Sequence, residues 1–260
     1  MRVARSWLHA LLIFSLASGA LAGAGADEVA DELKAIEDPT ILKRRIWLDS
    51  EWNRFKDSSD DLEFTMGALW AWPVTANQDW ALRIKVPVKF HMAGDAVADA
   101  DREGLGDNKV AVGTAFRHSP SLRSAVGVEM RFPTASDNLG SNAYRTLLFG
   151  TFAWDVTREI TFSPSVEYNK SLKEVRGSAP QEFIELFFPV IFLLPDRWSV
   201  VPRYEYKVDY ANHDQVIRSA KLTVTKLLEN QPLGFSLSLK KNIDETNKDF
   251  QINFVTTYYF

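Results

Sequence analysis

Apolar and polar side chains alternate along most of this chain, and the last segment, Asp249 to Phe260, shows the pattern clearly. One face carries Phe250, Ile252, Phe254, Thr256, Tyr258 and Phe260, and the other carries Gln251, Asn253, Val255, Thr257 and Tyr259. A period of two predicts a β-strand that is apolar on one side and mostly polar on the other. Because a terminal strand leaves an unpaired edge, we expect it to close a barrel against the first strand, although a soluble sheet could also end in this way.

The same alternation, interrupted by clusters of Gly, Pro, Asn, Asp and Ser, recurs in about twelve segments of roughly ten residues each. The segments are 44–55, 62–73, 80–91, 109–118, 124–133, 144–154, 159–170, 182–194, 198–210, 216–228, 234–242 and 249–260. The connections at 75–79, 119–123, 155–158, 195–197 and 229–233 are short, and those at 92–108, 134–143 and 172–181 are longer. This asymmetry and the even count predict an all-β fold, a transmembrane antiparallel up-and-down β-barrel of about twelve strands.

Charge separates the two faces of these segments. In the third segment Leu82, Ile84 and Val86 alternate with Arg83 and Lys85. A sheet closed in lipid has its apolar face outside and its charged face in the lumen, whereas a soluble sandwich has its apolar face inside. For the barrel, the pore-lining candidates are Arg83, Lys85, Lys89, Glu129, Arg131, Glu167, Arg203, Glu205, Lys207, Asp209, Lys221 and Lys240, together with Glu51 and Glu63. Such charges either create a field across a pore or form a salt-bridged plug, and both interpretations stay open.

Residues 183–194 are apolar on both faces apart from Glu185. Pro189 at the centre of this stretch favours a strand over a buried helix. The strand would give the lumen an apolar wall, which either contacts a hydrophobic solute or a plugging segment, or packs for stability alone.

Residues 27–42, which we call the N-terminal arm, precede the first strand and predict a short acidic helix. Its apolar stripe is weak and consists of Val29, Leu33 and Ile36. The arm either lies in the periplasm or enters the mouth of the barrel, and the weak stripe favours a loosely held periplasmic arm.

The start of the chain predicts export. Arg2 and Arg5 precede a mostly apolar run from Trp7 to Ala17, and small residues follow up to Ala26. This pattern is typical of a secretory signal peptide, which we place at residues 1–26, followed by the N-terminal arm and a barrel at 43–260.

Composition narrows the class of protein further. The chain has no cysteine, which excludes a lipid anchor, disulfides and thiolate metal sites. Its hydrophobic fraction is 46%, yet its mean hydropathy is only −0.17, so apolar residues are dispersed in a way that argues against a helical membrane protein. A formal charge of −4 gives no reason to expect nucleic acid as a partner.

Candidates for catalysis or metal binding are few. Outer-membrane phospholipase A is similar in strand number and uses a histidine with a serine two residues later, but here Pro120 takes that place after His118, between Ser119 and Ser121. His213 has no serine at a useful spacing. The loop carboxylates Asp95, Asp99, Asp101, Glu103 and Asp107 do not match the spacing of a calcium-binding loop. We therefore expect no enzyme activity, no cofactor and no metal site.

Three stretches resemble a known family. They are Gly104-Leu105-Gly106-Asp107 with the strand that ends in Phe116-Arg117, Arg131-Phe132-Pro133-Thr134 with Asp137-Asn138-Leu139-Gly140-Ser141, and Val201 to Tyr206. They are similar to the outer-membrane proteins named for the meta-pathway of phenol degradation, which implies a barrel that transports hydrophobic aromatic compounds. If the resemblance is set aside, the glycines of these stretches still have a structural explanation, because they suit a tight external turn that needs positive φ.

The final strand also resembles the carboxyl-terminal recognition signal of bacterial outer-membrane barrels. The resemblance implies that Phe254, Tyr258 and Phe260 form the signal that the barrel-assembly machinery recognises.

Together these patterns predict a protein of the Gram-negative outer membrane that admits small solutes passively. The expected partners are outer-membrane lipid and lipopolysaccharide, the assembly machinery and a small-molecule solute. The alternatives are a lipid-active enzyme, a non-conducting structural barrel and a soluble periplasmic β-protein.

Overall fold

The computed structural model describes residues 26–93, 101–136, 139–175, 178–229, 231–244, 246 and 248–260. The predicted signal peptide before Ala26, the loop acids Asp95 and Asp99, and Asp137-Asn138 of the motif lie outside these residues. In the part of the chain that is described, no helix has the length and apolar character needed to cross a membrane.

One helix, α1 (Ala26–Lys34), precedes the strands. The strands are β1 (Arg45–Phe55), β2 (Asp60–Thr75), β3 (Gln78–Met92), β4 (Arg102–Leu105), β5 (Lys109–Ser119), β6 (Leu122–Arg131), β7 (Ala143–Asp155), β8 (Ile160–Phe162), β9 (Ser165–Glu174), β10 (Glu182–Leu194), β11 (Trp198–Asp209), β12 (Gln215–Leu227), β13 (Leu233–Asn242) and β14 (Lys248–Tyr259). A short 3-10 helix, Tyr210–Asn212, follows β11.

The strands close into an antiparallel barrel of twelve strand positions, as the sequence predicts. β14 closes the barrel against β1, with pairs from Arg45↔Tyr259 to Phe55↔Lys248. β8 and β9 share one position between β7 and β10, because Pro164 separates them and lacks the N–H that a continuous strand would donate. β4 is an extra short strand that pairs with β3 in a loop.

The two ends of the barrel differ. Both ends of the barrel sequence lie at one end, which we call the turn end, and the connections there are short. The long connections lie at the other end, the loop end, together with shorter ones such as that between β1 and β2. The outer surface at the turn end carries exposed aromatic residues: Trp70, Trp72, Trp80, Phe152, Trp154, Trp198 and Phe260. A belt of this kind is typical of the boundary between lipid and water.

Alternation sets the two faces of the wall, as predicted. Large apolar side chains such as Val126, Leu148 and Leu222 are exposed on the outside. Many inward positions at the turn end and in the middle of the wall are small or polar and buried, among them Ala111, Ala125, Ala153, Ser199 and Thr223. The lumen is therefore narrow and partly polar.

The N-terminal arm lies inside the barrel at the turn end. Leu33, Ala35 and Ile41 pack against Leu227 and Tyr259 of the wall in one buried apolar cluster. The expectation of a loosely held periplasmic arm is therefore wrong for these residues. A weak apolar stripe is sufficient for docking because the arm binds the wall mainly through polar groups. The spacing of apolar residues gives no information about those groups.

Candidate functional site

All twelve pore-lining candidates lie on inward-facing positions of the strands, where the alternation predicts them. Eight of them fall into two groups on different parts of the wall. The first, the β2–β6 cluster, consists of Arg83, Lys89, Glu129 and Arg131 together with Glu63 of β2. Glu129 accepts from Arg83 at 2.9 Å and lies 3.6 Å from Arg131, and Lys89 Nζ is 3.0 Å from Glu63 Oε2.

The second group, the β11–β13 cluster, consists of Arg203, Glu205, Lys221 and Lys240. Glu205 is buried, pairs with Arg203 at 2.5 Å and with Lys240, and accepts from Ser219 at 2.9 Å. The pair of Lys207 and Asp209 lies nearer the loop end at 3.7 Å. Most of the candidate charges are thus neutralised by a neighbour rather than free in a pore.

Two candidates are exceptions. Lys85 and Glu167 make no hydrogen bond or ion pair with any described residue. Both are partly exposed in the lumen.

The N-terminal arm supplies functional residues that the sequence analysis missed. Glu37 of the arm joins the β11–β13 cluster: it accepts from Arg203 Nη1 at 3.0 Å, Lys221 Nζ at 3.3 Å and Thr223 Oγ1 at 3.0 Å. Burial opposes the ionised form of Glu37, but Lys221 and Arg203 outweigh burial and lower the pKa of this carboxyl below its ordinary value. Glu37 is therefore an ionised group held by three donors.

Asp38, the next residue, binds a different part of the wall, formed by β6 and the segment between β8 and β9. Its carboxylate is fully buried and accepts from Thr40 N at 2.9 Å, Thr40 Oγ1 at 2.7 Å, Ser163 Oγ at 3.2 Å and Arg123 Nη2 at 3.2 Å. Arg123 also binds Asp155 at 2.5 Å, and Lys34 of the arm binds the same aspartate at 2.8 Å. The sequence Asp38-Pro39-Thr40 signals the local turn, but nothing in it reveals partners more than eighty residues away along the chain.

A cavity of about 310 Å³ lies between the arm and the middle of the wall. Its lining combines the apolar side chains of Ile36, Phe149 and Phe187 with Arg203 and Glu37. The apolar wall of β10 thus has two uses: Phe187 and Pro189 line the cavity, while Leu193 packs against the arm.

A second cavity of about 420 Å³ lies at the loop end and is mainly polar. Glu51, Glu63, Lys89, Arg145 and Lys248 are among its lining residues. The lumen therefore contains one cavity beside the arm and another at the loop end.

Two of the stretches behind the family resemblance, the one around Asp107 and the one around Ser141, meet at the loop end. Asp107 is buried and accepts from Ser141 N at 2.7 Å and from Ser141 Oγ at 2.6 Å. A side chain on Gly140 would place its Cβ 2.4 Å from Asp107 Oδ1, and one on Gly104 would lie 2.7 Å from Ser136 Cβ. The expectation of positive φ is wrong for these glycines, because close packing and not backbone conformation excludes a side chain.

His118 lies on the outer surface near the turn end. Its Nε2 is 2.7 Å from Ser124 Oγ, a serine on the neighbouring strand rather than either of the adjacent serines. No carboxylate or amide side chain among the described residues binds the other ring nitrogen. Among all the residues that the structure describes, no group of three or more His, Cys, Asp or Glu residues is arranged to hold a metal ion.

The predicted assembly signal lies on the outer face of β14 and in the residue that follows it. Phe254 and Phe260 are exposed, and the Phe260 ring is 5.8 Å from that of Trp70 and 6.5 Å from that of Tyr258. These rings are accessible from outside the barrel.

Solved structures similar to this fold include outer-membrane barrels. The COG4313 outer membrane channel from Pseudomonas putida F1 has a TM-score of 0.71 and 14% identity, over 84% of this chain and 96% of that chain. The NanC porin has a TM-score of 0.54 and 10% identity, over 82% and 100% of the two chains. The translocator domain of the autotransporter NalP from Neisseria meningitidis has a TM-score of 0.53 and 11% identity, over 90% and 96%.

The fold is that of an outer-membrane barrel. No family model matches the sequence, and a search of curated proteins finds no match. At these identities the likeness concerns the fold alone, so the function must be argued from the lumen.

Proposed function

We propose that this protein is a channel of the Gram-negative outer membrane that admits small solutes passively and without catalysis. The proposal is supported mainly by the way in which the lumen is closed. Cavities of about 310 and 420 Å³ follow one another along the lumen, and the N-terminal arm, a separate segment held by polar contacts, fills the turn end beside them. A segment of this kind can leave its position without breaking the wall.

Hydrophobic or aromatic compounds are the proposed solutes. The aromatic side chains of Phe149 and Phe187, which line the cavity of about 310 Å³ beside the arm, support this choice. The resemblance of the Asp107 region to the phenol-degradation family also supports it. Outer-membrane lipid and lipopolysaccharide would contact the apolar outside, and the assembly machinery would recognise Phe254, Tyr258 and Phe260.

Planar-bilayer conductance tests the channel. The variant Glu37→Ala/Asp38→Ala keeps the length of the chain but removes the carboxylates that bind the arm to two different parts of the wall. We expect its single-channel conductance to exceed that of the parent severalfold, since the arm no longer closes the turn end. The matched control is Asp60→Ala, which removes a carboxylate from an ion pair with Arg54 at the loop end.

Equal conductance in the parent and the double variant would contradict the proposed role of the arm, and no conductance in either would contradict the channel. Heat-modifiable migration on gels confirms that each variant is a folded barrel. Recovery in the outer-membrane fraction tests the location.

A lipid-active enzyme is the second candidate, because the His118–Ser124 pair lies on the outer surface at hydrogen-bond distance. Phospholipase turnover that disappears in Ser124→Ala and persists in Ser121→Ala would support this activity. No turnover by the folded parent would exclude it.

A further inference from the structure

Glu37 occupies a site that is built to hold a carboxylate. Three donors from two strands converge on it: Arg203 at 3.0 Å, Lys221 at 3.3 Å and Thr223 at 3.0 Å. Behind them, Glu205 binds Arg203 and Lys240, so the Arg203 donor is held in position by a further ion pair. Charge-assisted bonds to a carboxylate of this kind are among the strongest that a protein makes.

The site opens toward an amphipathic space. Glu37 lies between the Lys221 and Thr223 donors and the 310 Å³ cavity, and both Glu37 and Arg203 belong to the lining of that cavity. Phe149 and Phe187 supply an apolar wall, with the Arg203 guanidinium 5.1 Å from the Phe187 ring centre. The volume lies at the lower limit of small-molecule sites, which are about 300–1,000 Å³.

Charge favours an anion once the arm is displaced. The charged residues that line the cavity are Arg45, Arg83, Arg203, Glu37 and Glu167. Without Glu37 the lining has three arginines and one glutamate, and Arg83 is already paired with Glu129. A cationic solute would meet Arg203 and Lys221; it would leave Lys221 without a counter-ion and Arg203 with Glu205 alone, which is costly in a partly dehydrated site.

We propose that the donors of Glu37 form a binding site for the carboxylate of an amphipathic solute whose aromatic or apolar part fills the adjoining cavity. In the absence of solute, the arm's own Glu37 occupies the site. Exchange of one carboxylate for another keeps Arg203 and Lys221 paired, so the solute competes with the arm without leaving a buried cation unpaired. The proposal rests on the proposed channel function, since it names the class of solute.

Binding to the full mature protein in detergent micelles tests the site, with empty micelles as the blank. Three probes share one tail and differ in head group: 3-phenylpropionate, 3-phenylpropanol and 3-phenylpropylamine. Equilibrium dialysis gives each dissociation constant. We expect the carboxylate to bind at least about tenfold more tightly than the alcohol or the amine, because only the carboxylate satisfies the donors.

Variants then locate the site. Glu37→Gln weakens the internal competitor, so we expect 3-phenylpropionate to bind about tenfold more tightly than to the parent. Arg203→Met and Lys221→Met each remove a donor, and they are introduced into the Glu37→Gln background so that the loss of a donor does not also release the arm's own carboxylate. In that background each should weaken binding about tenfold or more. Arg218→Gln removes an outward-facing arginine that pairs with Asp244 at 2.6 Å, and we expect it to leave binding unchanged.

The outcomes separate the site from the channel. Equal binding of the three probes, or unchanged carboxylate binding in both Arg203→Met and Lys221→Met, overturns the site even if the protein conducts. Carboxylate-selective binding that these variants weaken supports the site, and it would do so even if no variant conducted, a result that would contradict only the channel. Heat-modifiable migration shows that each variant is folded, and Lys221→Met provides the test if Arg203→Met does not assemble.

Discussion

The two ends of the barrel use the same kinds of ion pair to different effect. At the turn end the side chains of Lys34 and Arg123 are only 8% and 12% exposed, whereas at the loop end those of Lys89 and Arg54 are 36% and 37% exposed. Exposed pairs contribute on the order of 0–1 kcal/mol, while breaking a buried pair costs about 3–5 kcal/mol. The exclusion of water from the ion pairs, rather than their number, therefore determines which end of the barrel they stabilise more.

The arm accounts for this difference. At the turn end it brings carboxylates and apolar side chains into a space that the wall alone would leave to water. At the loop end the described residues leave a polar cavity among ion pairs. Changes in the arm should consequently alter one end and leave the other unaffected.

The largest effect is expected from Asp38→Ala. The substitution removes a fully buried carboxylate and leaves Thr40, Ser163 and part of Arg123 without their acceptor. We expect the arm's docking to weaken by about 3 kcal/mol, with the exchange of its protected amides on the order of 100-fold faster. Hydrogen exchange with mass spectrometry measures the change.

The control for this prediction is Asp60→Ala at the loop end, where the partner Arg54 is exposed. It should change arm exchange little. Similar acceleration in both variants would show that the two ends are not distinguished by burial.

Glu37→Gln should have the next largest effect. It replaces an ionised acceptor of three donors, and we expect docking to weaken by about 2 kcal/mol at pH 7. Because the pKa of Glu37 is lowered, its contribution is complete above the ordinary pKa of a glutamate and is lost as pH falls through the lowered value.

The difference in arm exchange between parent and Glu37→Gln should therefore shrink in acid, once the intrinsic pH dependence of exchange is subtracted. A difference that grew as pH fell would contradict the assignment of Glu37 as the ionised partner of Arg203 and Lys221.

Tyr259→Phe should have a smaller effect. The Tyr259 hydroxyl donates to the Glu32 carbonyl oxygen at 2.8 Å, which ties the closing strand to the arm. Loss of one such neutral bond should weaken docking by about 1 kcal/mol. Tyr204→Phe, on the exposed outer face, is the matched control, and an equal loss in the control would show that the effect is not specific to the arm.

The sequence predicts the wall well and the turn end poorly, for a physical reason. Strands closed in a barrel must alternate, so once the strand count and the terminal signals indicate a membrane barrel, periodicity assigns Arg83, Glu129 and Arg203 to the lumen. The predicted boundaries are mostly correct to one or two residues. The arm makes its contacts through isolated polar residues such as Asp38, whose partner Arg123 is 85 positions away. No local pattern records that pairing.

The same limit applies to the smaller errors. Gly140 is required because Asp107 approaches it, and this approach depends on how two loops pack rather than on a turn within one. His118 meets Ser124 across a hairpin whose register shifts between Arg117 and Ser119, so its partner cannot be counted along the chain.

Glu32→Gln should have the smallest effect, with the opposite sign. Burial raises the pKa of Glu32, so its ionised form opposes docking, and protonation of the parent relieves that cost as pH falls through the raised value. We expect the variant's arm to exchange slightly more slowly than the parent's at pH 7 and equally below the ordinary pKa of a glutamate. The Tyr259 bond persists because it uses the Glu32 backbone carbonyl. Glu28→Gln, at an exposed position of the same helix, is the control, and faster exchange in Glu32→Gln at pH 7 would show that this carboxylate helps to hold the arm.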